Sequence, residues 1–156
     1  MKLYVISDTH YNSRDAVKIY NNLEGIDKII HLGDMENDAR SIEIATGKEV
    51  ISVLGNNEFS SVPLFHILET EYGKIFLTHG HKERVKSGLQ NLVYKAMEHD
   101  CNAAFFGHTH MPFYMEVDGI HLLNPGSLTL PMVTYPSTYA IVEITKDSFF
   151  VTSCTL

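Results

Sequence analysis

Short apolar runs alternate with segments of helical periodicity in the first third of the chain. The runs are residues 3–7 (LYVIS), 28–32 (KIIHL) and 50–54 (VISVL). Continuous apolar runs of this length are typical of strands that are buried on both faces. A helix capped by Asn12 or Ser13 is predicted to reach about residue 23, and a second is predicted over residues 38–46, ending at Gly47. This β-α-β-α-β order predicts a parallel sheet with right-handed crossovers.

The remainder of the chain is predicted to be richer in strands. The elements are a hairpin of residues 65–70 and 74–78, an amphipathic helix over about 85–99, a buried strand over 103–106, and two further hairpins, 113–117 with 120–123 and 138–145 with 148–152. We find no linker, repeat or low-complexity segment. The sequence therefore predicts a single domain over residues 1–156, an α/β sandwich of two sheets with helices outside.

Composition and charge exclude several classes of protein. Of the 156 residues 44% are hydrophobic, which is enough for a packed core and argues against disorder. Lys and Arg number 12 against 19 Asp and Glu, and the formal charge of −7 repels phosphate backbones. We therefore expect no non-specific binding of nucleic acid. Two cysteines are too few for a disulfide scaffold or a thiolate metal cluster.

The sequence shows neither a membrane span nor a signal peptide. No apolar run approaches the roughly 20 residues that a membrane helix needs. The N-terminal apolar stretch meets Asp8 and His10 too early to form the apolar region of a signal peptide. Cys101 and Cys154 are expected to be small buried hydrophobes in a reducing compartment. We therefore expect a cytoplasmic protein that does not associate with membranes.

Polar residues cluster where the predicted strands end. The five segments are Asp8-Thr9-His10, Gly33-Asp34, Gly55-Asn56-Asn57-Glu58, His79-Gly80-His81 and Gly107-His108-Thr109-His110. Ligands bind at this edge of open α/β sheets, and carboxylates, imidazoles and amide carbonyls suit divalent manganese, iron, nickel or zinc. Each fragment alone is most often a turn or a helix cap, but five in order indicate a metal site. Asp34 is the natural bridge, because one carboxylate can span two ions about 3.5–4 Å apart.

The ordered set of these segments resembles the calcineurin-like metallophosphoesterases. The compact length and the segment Asn124-Pro125-Gly126-Ser127 resemble the small bacterial and archaeal phosphodiesterases of that superfamily, and the likeness runs over residues 3–127. It implies a four-layer αββα sandwich of two mixed β-sheets flanked by helices, with a dinuclear metal centre. By this resemblance one ion is held by Asp8, His10, Asp34 and His110, and the other by Asp34, Asn56, His79 and His108. Manganese is the expected metal, with nickel, iron and zinc as alternatives.

Asn57 departs from the pattern of that superfamily. Many members carry His and then Asp after the metal-binding Asn, where this chain has Asn57 and Glu58. That His is assigned to transition-state stabilisation or to protonation of the leaving group. Asn57 can donate a hydrogen bond to a phosphoryl oxygen, but it cannot deliver a proton at neutral pH. His81 is either a substitute donor or a residue that orients His79, and we favour the orienting role.

The other histidines and the nearby basic residues carry weaker signals. His31 lies inside an apolar run and is expected to be a core histidine. The histidines without a surrounding motif are expected to be structural or exposed, and they are His66, His99 and His121. Three basic residues could reach a substrate phosphate, although a solvated surface is the simpler interpretation, and they are Arg14, Lys82 and Arg84.

The expected function is that of a metal-dependent phosphohydrolase. The resemblance favours a phosphodiesterase that cleaves a small phosphodiester or nucleotide-like substrate, with a hydroxide bridging two metal ions. Three alternatives stay open: a phosphomonoesterase on the same site, a metal-binding protein without turnover, and a non-catalytic protein-binding scaffold like the retromer subunit of similar fold. The apolar C-terminal strands leave a homo-oligomer open as well.

Overall fold

Ten strands and three helices make up the described part of the chain, which in this computed structural model comprises residues 1–57, 61–129 and 135–156. In chain order they are β1 (Lys2–Ile6), α1 (Ser13–Tyr20), β2 (Lys28–His31), α2 (Glu36–Thr46), β3 (Val50–Ser52), β4 (Phe65–Glu69), β5 (Lys74–Thr78), α3 (Gln90–Glu98), β6 (Cys101–Phe105), β7 (Pro112–Val117), β8 (Ile120–Pro125), β9 (Thr138–Ile144) and β10 (Phe149–Thr155). The β-α-β-α-β order predicted for the first third of the chain is confirmed.

The strands form two mixed sheets of five strands each. The first sheet has the order β10-β9-β1-β2-β3, in which β1, β2 and β3 are parallel and the other two strands are antiparallel to their neighbours. The second has the order β4-β5-β6-β8-β7, in which β5, β6 and β8 are parallel and both edge strands are antiparallel. The parallel strands therefore occupy adjacent positions in each sheet.

Alternate residues of β1 show how the layers stack. Val5 packs with Phe105 and other side chains of the second sheet, which places one core between the sheets. Tyr4 points to the opposite face of the strand and packs with Ala16 of α1, which places a second core under α1 and α2. A third core lies between α3 and the second sheet and includes Leu92. The predicted four-layer αββα sandwich, two mixed sheets flanked by helices, is confirmed.

The helix predicted over residues 85–99 is shorter than its periodicity indicates. The structure has turns over residues 81–87, and α3 begins only at Gln90. Gly88 has φ +144°, a backbone conformation that an α-helix does not contain, so the turn and the helix are separate. Val85 nevertheless joins the same buried cluster as Leu92. Its burial from a turn explains why the apolar stripe extends past the start of the helix.

Two observations bear on the expectations about location. None of the described helices is long and apolar enough to cross a membrane. Cys101 is a buried free thiol in the cluster under α3, and Cys154 is a partly buried free thiol against the cluster under α1. Both cysteines are therefore packed side chains.

Candidate metal centre

The polar segments singled out in the sequence meet at one edge of the sandwich. Each follows the carboxyl end of a parallel strand: β1, β2 and β3 in the first sheet and β5 and β6 in the second. Ligand atoms in two overlapping sets lie within 4.8 Å of one another. The first set is Asp8, His10 and His110, and the second is Asp8, Asp34 and His79. Two groups of donors with a shared carboxylate are an arrangement that suits two neighbouring cations.

The remaining expected site residues lie against these two sets. The Asn56 Oδ1 atom is 3.0 Å from His79 Nε2, and the Asn57 side chain bonds to Asp34. The ring centroid of His79 is 5.0 Å from that of His108 and 5.5 Å from that of His81. Glu58 lies outside the described residues. The fold therefore brings all nine predicted site residues to one edge.

Most of the expected ligands have an unusual backbone conformation. Their φ angles are +53° at Asp8, +43° at His10, +56° at Asp34, +65° at His108 and +58° at His110. A non-glycine residue with positive φ is uncommon, and such strain concentrates at functional sites. The positive φ angles therefore fall at the strand ends where the expected ligands meet.

Glycines beside the ligands allow the strand ends to approach closely. A β-carbon at Gly55 would lie 2.1 Å from Asp34 Oδ1 and 2.3 Å from the Asp34 backbone nitrogen. A β-carbon at Gly107 would lie 2.0 Å from Ser7 Oγ and 2.9 Å from Asp8 Oδ2. Both distances at each glycine are too short for any side chain. The glycines of these two motifs therefore leave the space that the Asp8 and Asp34 carboxylates fill.

The contacts of His79 indicate that a cation belongs in the second set. The Leu32 carbonyl accepts a hydrogen bond from His79 Nδ1 (2.7 Å), so in the neutral ring Nε2 carries a lone pair. That lone pair faces Asn56 Oδ1 at 3.0 Å and Asp34 Oδ1 at 3.6 Å. Three acceptor atoms converge there, and a bound cation satisfies all of them.

The first set also fits a cation. Asp8 Oδ2 accepts hydrogen bonds from Ser7 Oγ (2.6 Å) and from the His108 backbone N–H (3.1 Å), and Oδ1 lies 3.1 Å from His110 Nε2. Burial alone would raise the pKa of Asp8, but the contacts with His110, His79 and Ser7 outweigh it and lower the pKa. The His10 Nε2 atom is buried without a hydrogen-bond partner among the described residues. A cation would give that nitrogen a partner.

Two further imidazoles at the site are held in the neutral form, which is the form that binds metals. Burial, followed by the neighbouring His79 ring and the Lys86 ammonium group, lowers the pKa of His108 to about 4. Burial is also the main cause that lowers the pKa of His81, with contributions from His79 and Lys82. Both rings are therefore neutral at neutral pH.

His81 lies beside His79, with ring centroids 5.5 Å apart. The ring nitrogens of His79 face the Leu32 carbonyl and Asn56 Oδ1. The orienting role that we favoured for His81 and its alternative role as a donor both stay predictions. Asn57 donates from Nδ2 to Asp34 Oδ2 (2.7 Å) and from its backbone to Asp34 Oδ1 (3.3 Å), so in this structure its amide fixes a ligand.

The structure reveals supporting residues that we did not predict. Asn124 donates from Nδ2 to the Gly107 carbonyl (2.9 Å) and to Thr109 Oγ1 (3.0 Å), which fixes the loop that carries two histidines. Ser127 donates to the Asp8 carbonyl (2.9 Å). The Asn124-Pro125-Gly126-Ser127 segment was part of the family resemblance, but its sequence carries no sign of these partners. Such hydrogen bonds arise only when distant segments meet in the fold.

The other histidines have structural surroundings. His31 is buried, and its Nε2 lies 3.0 Å from Thr9 Oγ1, which in turn donates to Asp38 Oδ2 (2.7 Å). His121 is buried between two tyrosine hydroxyls, and His99 stacks on Phe76. His66 is exposed on β4. These four histidines lie outside the two donor sets.

An αββα sandwich with a carboxylate–histidine site at its strand ends defines a class of metal-binding α/β proteins. Residues 1–147 match the Calcineurin-like phosphoesterase superfamily domain. The match spans most of the chain, so the protein belongs to the calcineurin-like phosphoesterase superfamily, as its motifs indicated.

Individual relatives agree with this assignment. The probable metallophosphoesterase YsnB of Bacillus subtilis is 32% identical over 95% of this chain and 87% of its own length. The phosphodiesterase MJ0936 of Methanocaldococcus jannaschii is 29% identical over 96% of each chain. The structure of a Vps29 single mutant from Entamoeba histolytica superposes with a TM-score of 0.85 at 25% identity, covering 100% of this chain and 93% of that one.

Proposed function

We propose that this protein is a phosphodiesterase that depends on two divalent metal ions and cleaves small phosphodiesters or nucleotide-like esters. The observation that carries the proposal is the pair of overlapping donor sets at the strand ends. In the proposed centre one ion is bound by Asp8, His10, Asp34 and His110, and the other by Asp34, Asn56, His79 and His108. The name of the relative MJ0936 supports a diester as the substrate.

The chain's own residues define what such a centre can do. Two divalent ions, when bound, would lower the pKa of a water molecule and neutralise charge on the phosphoryl oxygens. The left-handed turns at Asp8, Asp34 and His108 hold the ligand side chains toward a common point. The Asn57 amide holds the Asp34 carboxylate in place, and it has no acidic proton to give to a leaving alkoxide. The departing group therefore leaves with little help, and good leaving groups are favoured.

The choice of bridging carboxylate can be tested by metal counting. Asp8 belongs to both donor sets, whereas Asp34 belongs to one and also accepts a hydrogen bond from the Asn56 backbone N–H (3.0 Å). We propose Asp34 as the bridge because the family resemblance assigns it to both ions and its Oδ1 lies 3.6 Å from His79 Nε2. Asp34→Asn should then lose both ions in elemental analysis after dialysis, while Asp8→Asn should retain the ion held by Asn56, His79 and His108. The opposite pattern would assign the bridge to Asp8.

The function itself is tested by hydrolysis after metal removal and replacement. Metal-free protein is resupplied with Mn²⁺, Ni²⁺, Zn²⁺ or Mg²⁺ and assayed in parallel with bis-p-nitrophenyl phosphate and p-nitrophenyl phosphate. We expect metal-restored turnover that favours the diester, with Mn²⁺ among the effective ions. Preference for the monoester would keep the site and make the protein a phosphatase.

The structural likeness to Vps29 favours a second candidate, a non-catalytic protein-binding scaffold of the same fold. A scaffold has no need of a complete ligand set, whereas this chain has all seven expected metal ligands at one edge of the sheets. Binding of two ions without turnover of either ester would place the scaffold first.

A further inference from the structure

Two adjoining cavities open beside the loop that carries His108 and His110. The first has a volume of about 450 Å³ and is lined by Val85, Lys86, His108, Thr109, His110 and Met111. The second has a volume of about 200 Å³, shares Val85, Thr109 and Met111 with the first, and continues to Leu89, Phe106, Phe113 and Tyr135. The shared residues make them one continuous depression, which we call the apolar groove.

The walls of the apolar groove differ from the rest of this acidic protein. Val85 and Phe106 are buried and form its floor, while Met111 and Tyr135 are 38% and 41% exposed. Phe113 packs its ring against Phe106, with centroids 6.2 Å apart. Among the lining residues that the structure describes there is no carboxylate. Apolar walls with a few polar groups at one end are typical of ligand-binding pockets.

The position of the groove relates it to the candidate metal centre. His110 belongs to the first donor set and also lines the wider end of the groove. A phosphoryl group held at the centre would therefore have its ester substituent next to Met111. Lys86 lines the same wide end, where its ammonium group is placed to attract an anion.

We propose that the apolar groove is the subsite for an aromatic group on the substrate ester, and that Lys86 at its mouth attracts the phosphoryl anion. The inference rests on the proposed function and narrows the substrate class to phosphate esters of aromatic or nucleoside-like alcohols. An aromatic group in the groove would contact the sulfur atom of Met111 and would meet the Phe113 ring edge to face. Thr109, which accepts a hydrogen bond from Asn124, keeps the loop that carries Met111 in place.

The test measures binding of two phosphonates by isothermal titration calorimetry to protein loaded with metal. Phenylphosphonate and methylphosphonate carry the same phosphonyl group on a carbon–phosphorus bond that phosphoesterases do not hydrolyse, so binding is read without turnover. We expect phenylphosphonate to bind the wild-type protein about tenfold more tightly, since even one methylene in an apolar pocket gives a preference of this order. Equal binding of the two probes would overturn the proposal.

Substitutions separate the two parts of the proposal. Met111→Gln should reduce the phenyl preference to about threefold or less, whereas Met111→Leu, which keeps an apolar side chain, should retain it. Lys86→Gln should weaken both probes by roughly 3- to 5-fold without changing their ratio, as expected for an exposed charge. An unchanged ratio in Met111→Gln would overturn the subsite, and unchanged affinities in Lys86→Gln would overturn the role of Lys86.

Matched control variants come from surfaces away from the groove. Met97 is 55% exposed on α3, and Lys146 is exposed in the turn between β9 and β10, at the opposite end of the first sheet. Met97→Gln and Lys146→Gln should leave both affinities unchanged. Because binding is measured separately from hydrolysis, failure of the groove proposal can be distinguished from failure of the proposed function. Diester turnover with no phenyl preference would reject the groove alone, and phenyl-selective binding with no turnover would reject the proposed function alone.

Discussion

Gly55→Ala should remove metal binding without touching a ligand. The new β-carbon would lie 2.1 Å from Asp34 Oδ1, about 1.3 Å closer than the 3.4 Å at which ordinary contacts begin, and 2.3 Å from the Asp34 backbone nitrogen. Gly55 does not have positive φ, so the substitution adds a steric conflict and no backbone strain. The Asp34 carboxylate must move by about an ångström, whereas metal–ligand distances tolerate shifts of only about 0.2 Å.

The size of the effect follows from two separate quantities. Overpacking of this kind costs about 1–3 kcal/mol of folding free energy, which for a chain of this length lowers Tm by roughly 2–12 °C. Displacement of a ligand should reduce metal affinity by at least the roughly 10- to 100-fold that follows loss of a residue supporting a ligand. The metal-free protein is melted by circular dichroism, and Mn²⁺ or Zn²⁺ binding is measured by calorimetry.

Gly25→Ala is the control for a general loss of stability. Gly25 has φ +71°, and nothing lies within 4 Å of the position that a β-carbon would take there, so this variant strains the backbone by about 1–2 kcal/mol and disturbs no ligand. It should melt at a lower temperature and keep wild-type metal affinity. If Gly55→Ala instead bound metal and melted like the wild type, the close packing of Gly55 against Asp34 would be refuted.

Three other outcomes are expected. Asn124→Ala should cost about 1–3 kcal/mol in urea unfolding and should weaken metal binding as well, because it removes the acceptor of the buried Gly126 backbone N–H and one of the two donors to the Gly107 carbonyl. An unchanged midpoint would contradict this. Burial lowers the pKa of the His121 imidazole in the folded protein, so below about pH 6.5 the unfolded chain binds a proton at this residue before the folded chain does. The free energy of unfolding should therefore fall as the pH drops below about 6.5, and it should fall less in His121→Gln. Equal pH dependence of the two proteins would contradict this. Hydrolysis rates of a series of aryl phosphodiesters should depend steeply on the pKa of the leaving group, because Asn57 cannot protonate it, and Asn57→His should make that dependence shallower. A flat dependence in the wild-type protein would show that another group protonates the leaving oxygen.

The parallel strands and their polar ends could be predicted because their signals are local. A continuous apolar run such as residues 28–32 can be buried on both faces only in a sheet that is covered on both sides, and Gly33-Asp34 marks its end. The pairing of β9 with β1 could not be predicted in this way. Lys2 pairs with Glu143 across almost the whole chain, and neither residue carries a local sign of its partner. Long-range register depends on which faces remain to be buried after the rest has folded.

The expected ligand residues were chosen by residue type, but the backbone geometry at these positions could not be predicted. Asp8 and His10 are two positions apart, so in an extended segment their side chains would lie on the same side. The structure instead places both in the left-handed region, at φ +53° and +43°, so a sharp turn brings them together. Local propensity disfavours this conformation, and it persists only where surrounding contacts over-determine it. Those contacts come from far along the chain, including the hydrogen bond from Ser127 to the Asp8 carbonyl and the space left by Gly107.

The packing of the sheets also keeps the candidate site residues together despite two local conflicts. Left-handed backbone conformations at five of the expected ligand positions are uncommon for non-glycine residues. The acceptor atoms that converge around His79 repel one another electrostatically. A chain free to relax would relieve both conflicts by opening the loops, but β1, β2 and β5 lie in the core and fix the loop ends. The packing of the two sheets therefore holds these donor atoms close together at one edge, in an arrangement that suits a cation.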